Sequence, residues 1–130
     1  EAYYNRGEAF ANLKRNEEAI ADYSKAIQKG VYLYRSLWGR ACGYNSLGLY
    51  AQARDDCERA IQIDDTNAGL WVMHGWALAN LDQALKAETS FRKAIDIDPD
   101  NNNAKGFMVS HSWNKIGWSR HGNIPFWESF

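Results

Sequence analysis

Few residues in this chain of 130 are suited to chemistry. The histidines are His74, His111 and His121, and the cysteines are Cys42 and Cys57. No two histidines stand in H-x-x-x-H or H-E-x-x-H, and neither cysteine lies at a metal-like spacing from them. The cysteines form no C-x-x-C pair, which predicts two free thiols. Paired carboxylates occur at Asp55-Asp56 and at Asp96 with Asp98. General acid–base work needs two such groups facing one substrate. These fall on what reads as a solvated helix face and at a helix end. The run from Asp98 to Asn103 is rich in acids and amides but lacks the Gly and distal Glu of a calcium loop. There is no Gly-rich phosphate loop. Spacing supports no Ser–His–Asp arrangement. His74 occupies a helix-packing position and is assigned a structural role. The reactive residues therefore point to a non-enzyme with no cofactor and no metal.

Composition narrows the partners. The net charge is −1, which gives no broad electrostatic pull toward nucleic acid or anionic lipid. No apolar run approaches the roughly 18 residues of a membrane span. No signal peptide is visible within this sequence, and a cytoplasmic location is the expectation. Six Trp, seven Tyr and five Phe are more aromatics than a small helical core requires. Some are expected on a surface that binds something.

The elements that would carry such a surface are helices. Ala87, Phe91, Ala94 and Ile95 have the spacing of one helix face, and Pro99 follows as a stop. The same face recurs 34 positions earlier at Ala53, Cys57, Ala60 and Ile61, and again at Ala19, Tyr23, Ala26 and Ile27. One period runs through most of the chain. Six helices follow: 1–14, 17–29, 34–47, 51–63, 68–81 and 84–97. The inward sets include Tyr3, Gly7, Phe10 and Leu13 in the first helix. In the third they are Leu37, Ala41, Tyr44 and Leu47, and in the fifth Trp71, Gly75, Leu78 and Leu81. Gly30 and Gly48 suit helix C-caps, and Gly7 suits a close helix approach. A seventh helix is predicted to about Lys115, capped by Asn102 or Asn103. Short links make each pair antiparallel, and stacking covers the face each pair leaves open.

The pattern resembles the tetratricopeptide repeat family, W-x2-L-G-x2-Y, then A-x3-F, A and P over 34 residues. Trp71, Gly75, Leu78, Ala87, Phe91, Ala94 and Pro99 match best. Tyr3, Gly7, Phe10, Ala19, Tyr23 and Ala26 form the first copy, and Leu37, Ala41, Tyr44, Ala53, Cys57 and Ala60 the second. The departures are Arg6, Arg40 and His74 at the family's Leu position, with Gly30-Val31 and Asp65 where Pro is favoured. The resemblance implies an all-α fold, an α-solenoid of antiparallel helix–turn–helix repeats coiled as a right-handed superhelix. Its parts would be a domain over 1–117, with repeats at about 1–33, 34–67 and 68–101 and a further C-terminal helix at about 102–115. A tail over 118–130 would follow.

Family resemblance also implies a concave groove lined by the first helix of each unit, holding a peptide or helix of a protein partner. Carried over, the groove residues are Tyr4, Glu8 and Asn12, then Arg35, Trp38 and Asn45, then Val72, Met73, Trp76 and Asn80. Trp113 would extend the set from the seventh helix. Aromatics would anchor a ligand and the asparagines would read its backbone. Some relatives clamp a C-terminal carboxylate with Lys, Asn, Asn, Lys and Arg. Those positions here hold Tyr4, Glu8, Gly39, Gly69 and Met73. No clamp is expected, and an apolar or amphipathic peptide is expected in place of an acidic chaperone tail. The alternative is self-association through end helices or the aromatic tail, which holds Trp118, Phe126, Trp127 and Phe130. That tail could be a cap on the last helix, a ligand-like strap in a groove, or a disordered or extraneous end.

Overall fold

A computed structural model describes residues 1–101. Within them six α-helices follow one another: α1 Ala2–Asn12, α2 Asn16–Gln28, α3 Leu33–Ser46, α4 Tyr50–Ile63, α5 Ala68–Asn80 and α6 Ala84–Ile97. The predicted helices agree within one or two residues at each end. The expected seventh helix, the further C-terminal helix, Trp113 and the tail lie outside the described residues.

Each helix packs on the next, and α1 also touches α3 while α3 touches α5. The first helices of the three units therefore stand side by side. The fold is an all-α solenoid of helix pairs. Its core is the recurring apolar face. Ala19, Tyr23 and Ala26 are buried in the first unit, Ala53, Cys57 and Ala60 in the second, and Ala87, Phe91 and Ala94 in the third. The alanines admit close helix contact, and the larger residue at the centre of each set fills the space between helices.

The large residues are matched to small ones. A Cβ on Gly7 would meet Tyr23 Cδ1 at 3.1 Å, and a Cβ on Gly39 would lie 2.5 Å from Tyr23 Cζ. The Tyr23 ring thus occupies the room that two glycines leave on α1 and α3. Cys57 is smaller, and the space around it is taken by Leu37, Ala41 and Leu70, with Met73 packed against them.

Two expected core residues are not in the core. Leu13 is 65% exposed and Leu47 38% exposed. Both sit one residue past their helix, at the C-cap, where the 3.6-residue period no longer decides direction.

The turn within each unit repeats as well. Lys14, Gly48 and Asp82, spaced 34 apart, have φ of 62°, 76° and 61°. Only Gly48 takes this left-handed conformation without steric conflict; an L-residue there costs roughly 1–2 kcal/mol. Lys14→Gly should therefore stabilise the chain by about 0.5–1 kcal/mol, since glycine's extra unfolded entropy offsets part of the gain. Asp82→Gly should gain less, because Asp tolerates this region better. Urea midpoints compared with wild type check both, and Gly48→Ala should move the midpoint the other way.

Candidate functional site

Apart from Trp113, the expected groove residues lie on α1, α3 and α5, the three helices that stand side by side. Tyr4, Glu8, Arg35, Trp38, Gly39 and Cys42 together line a cleft of about 320 Å³ between α1 and α3. Four of them, Tyr4, Glu8, Arg35 and Trp38, were expected in the groove as site residues. Trp38 is half-buried and packs on the core around Leu37 and Leu70. Its ring meets Tyr34 edge-on at 6.0 Å, and a Cβ on Gly69 would lie 3.2 Å from its Cζ2. One edge of Trp38 is thus structural while another faces the cleft. Tyr4 stacks edge-on against Tyr32 at 5.0 Å.

The remaining site residues extend the surface along α5. Val72 and Met73 are half-buried, and Trp76 is 38% exposed. Asn45 donates from Nδ2 to the Met73 carbonyl at 3.5 Å, tying α3 to α5. Asn80 donates to the Trp76 carbonyl of its own helix at 2.8 Å. Both amides thus have a bond inside the protein, which leaves less for a ligand backbone than the row of asparagines suggested. Asn12 is exposed.

The electrostatics of the cleft centre on Glu8. Its Oε1 accepts a hydrogen bond from the hydroxyl of Tyr23, a residue only 1% exposed. Burial, then the Glu8 charge, push the Tyr4 hydroxyl up, opposed by nearby Arg35. The same two causes push the Cys42 thiol up to about 11. Cys42 is therefore a poor nucleophile at neutral pH. It lies 3.7 Å from the Met73 sulfur. Buried Cys57 is pushed up further, mainly by desolvation. Both cysteines are free.

A larger cleft, about 450 Å³, lies between α4, α5 and α6. Its polar groups are bonded mainly to one another. Arg54 pairs with Asp55 at 3.1 Å, and the Trp71 indole donates to the Asp65 carbonyl at 2.8 Å. His74 Nε2 stands 3.1 Å from Glu58 and Nδ1 stands 2.7 Å from Ser90 Oγ. A carboxylate only accepts, so Nε2 is the ring's donor to Glu58. The structural role expected for His74 matches these contacts.

One regularity was not foreseen. Arg6 makes two bonds to Asp22, at 2.7 and 2.9 Å, and Arg40 makes two to Asp56, both at 2.7 Å. His74 with Ser90 is the third instance, again 16 residues apart. The departures from the family's Leu position are thus a polar link between the two helices of each unit. The Arg6 guanidinium holds the Asp22 carboxyl below its ordinary range. Asp56, expected on a solvated face beside Asp55, is only 3% exposed because it faces Arg40. Asp96 and Asp98 are exposed as expected. Among the described residues, no group of three or more His, Cys, Asp or Glu could hold a metal ion. Among the same residues, no helix is long and apolar enough to cross a membrane.

Comparison with known proteins places the fold. Family models described as tetratricopeptide repeat match residues 1–29, 34–67 and 68–101. The chain belongs to the tetratricopeptide repeat family, whose repeats form a protein-interaction scaffold. RNA polymerase II-associated protein 3 of Mus musculus is 27% identical over 96 residues, covering 74% of this chain. The aligned stretch is 14% of that protein's length. Among solved structures, the first TPR of Spaghetti (RPAP3), bound to the HSP90 peptide SRMEEVD, matches with a TM-score of 0.84 at 21% identity. The match covers 88% of this chain and 91% of that one. The second TPR domain of human RPAP3, in complex with the HSP70 peptide SGPTIEEVD, matches with a TM-score of 0.79 at 23% identity. There the coverage is 85% and 92%. Both neighbours carry acidic chaperone peptides, so the comparisons lend no support to the expected exclusion of such a ligand.

Proposed function

We propose that the chain is a non-catalytic scaffold that receives a peptide or helix of a partner protein on the surface formed by α1, α3 and α5. The observation that carries this reading is the cleft of Tyr4, Glu8, Arg35, Trp38, Gly39 and Cys42 on the side-by-side first helices. Val72, Met73, Trp76 and Asn80 on α5, which touches α3, would extend that surface. Rigid aromatics beside a few polar groups are the composition of a binding hot spot. An acidic tail is the ligand to test against, because the structural neighbours hold one. What supports a different ligand is the set of side chains Tyr4, Glu8, Gly39, Gly69 and Met73. It contains no cation, and one of its members is an acid.

Phage-displayed peptides selected on the full chain supply the probe. Trp38→Ala with Trp76→Ala should weaken the selected peptide by at least about tenfold, the loss of two anchor contacts. Helicity by circular dichroism should persist. Binding within twofold of wild type, with helicity intact, would remove the groove from consideration.

A further inference from the structure

Tyr23 sits at the centre of the first unit's core, where the other units carry Cys57 and Phe91. Neither of those can donate a hydrogen bond of comparable strength through the core. The Tyr23 ring passes between Gly7 and Gly39, and its hydroxyl emerges at the groove to hold Glu8. The carboxylate is thereby held by a buried side chain, and Glu8 lines the cleft. Tyr4 and Trp38 line the same cleft. Tyr4, Tyr23 and Cys42 all feel the Glu8 charge, so the field of the carboxylate reaches across the cleft. Arg35 is the cleft's cation, and it is placed beside Tyr4 on the neighbouring helix.

We infer that Glu8, positioned by Tyr23, is the groove's cation-recognition point and takes the ammonium or guanidinium of a basic residue in the bound peptide. This rests on the groove being the binding surface. The argument is charge complementarity. A held carboxylate beside two aromatic side chains suits a Lys or Arg side chain, through a charge-assisted hydrogen bond at its head and apolar contact along its stem. The same carboxylate opposes the paired glutamates of SRMEEVD. Arg35 can meet a carbonyl or carboxylate on the far side of that basic residue, which sets the direction of the peptide.

The test uses the full chain and two fluorescein-labelled peptides, SRMEEVD and its charge-inverted form SRMKKVK with an amidated end. Fluorescence anisotropy at low salt reads the dissociation constants. The cationic peptide should bind at least about tenfold more tightly, as for a desolvated charge-assisted contact. Glu8→Gln should remove most of that preference, and Glu8→Lys should invert it. Tyr23→Phe keeps the ring and deletes the hydroxyl; it should weaken the cationic peptide severalfold with helicity retained. Equal binding of both peptides, no binding of the cationic one, or indifference to Glu8→Gln would each overturn the assignment. If Glu8→Gln is silent while Trp38→Ala abolishes binding, the groove reading stands and the cation site falls. If neither variant affects a peptide that does bind, both fall.

Discussion

Asp56→Ala is expected to lower the stability of the folded chain by about 3 kcal/mol, the low end for breaking a buried ion pair. Asp56 accepts two hydrogen bonds from Arg40, whose remaining Nη1 reaches Ser24 at 3.1 Å. Arg40 also lies over the Tyr44 ring at 5.6 Å. Deleting the carboxylate strands a guanidinium whose side chain keeps only 17% of its surface in water. The loss is due to that stranded charge, not to the value of the pair itself. Arg40→Met with Asp56→Leu should therefore recover most of it, because two apolar side chains need no partner. The equivalent change in the first unit, Asp22→Ala, should cost only about 1 kcal/mol. Arg6 is mostly solvated there and can fall back on water. Thermal midpoints report the series, with Asp56→Ala lower by roughly 10 °C. A loss under 1 kcal/mol for Asp56→Ala would mean that Arg40 escapes to solvent.

The second large effect concerns the third unit. Phe91→Ala should destabilise by about 3–5 kcal/mol, the range for emptying an aromatic site in a core. Phe91 is surrounded by Leu78, Ala87 and Ala94, with Trp71 and Val72 packed alongside. Its ring presses on Gly75, where an added Cβ would lie 2.7 Å from Cε1. Gly75→Ala alone should therefore cost about 1–3 kcal/mol through overpacking, despite the roughly 1 kcal/mol that alanine gains in a helix. In a Phe91→Leu background the same Gly75→Ala should be neutral or stabilising. The two sites share one volume, so a double-mutant cycle should show a coupling of about 1–2 kcal/mol. Additive effects would separate Gly75 from the Phe91 ring.

The helices could be read from the chain because their signal is periodic. Ala19, Tyr23 and Ala26 recur twice at the same spacing, and each copy marks a buried face. Leu13 and Leu47 misled because apolar type continues past the last helical residue while the helix geometry does not. The Arg–Asp links were written in the chain too. Arg6 and Arg40 are 34 apart, and so are Asp22 and Asp56. The repeated charges are fewer than the repeated apolar residues and stand among many other surface charges. The link from Tyr23 to Glu8 had no such signal. It occurs in one unit only and joins a core position to a groove position 15 residues away. Only the packing between two glycines shows that the hydroxyl can reach. Tyr4, Glu8, Arg35, Trp38, Gly39 and Cys42 are all groove positions by resemblance, and the α1–α3 contact brings the six around one cleft.

The size matching across the units bears on how such a chain can be rearranged. Tyr23 fits against Gly7 and Gly39, Cys57 against Ala41 and Met73, and Phe91 against Gly75. The repeats share a period, but their order along the chain is specified. A gene with the first two units exchanged would keep Tyr23 beside Gly7, but would bring Met73 of the third unit to the place that Gly39 holds against its ring. Duplication of the first unit would set Asn5 of the copy against Tyr23 at the new junction. Growth or shuffling of this array is therefore constrained to the ends, or to substitutions that trade bulk across a junction in pairs.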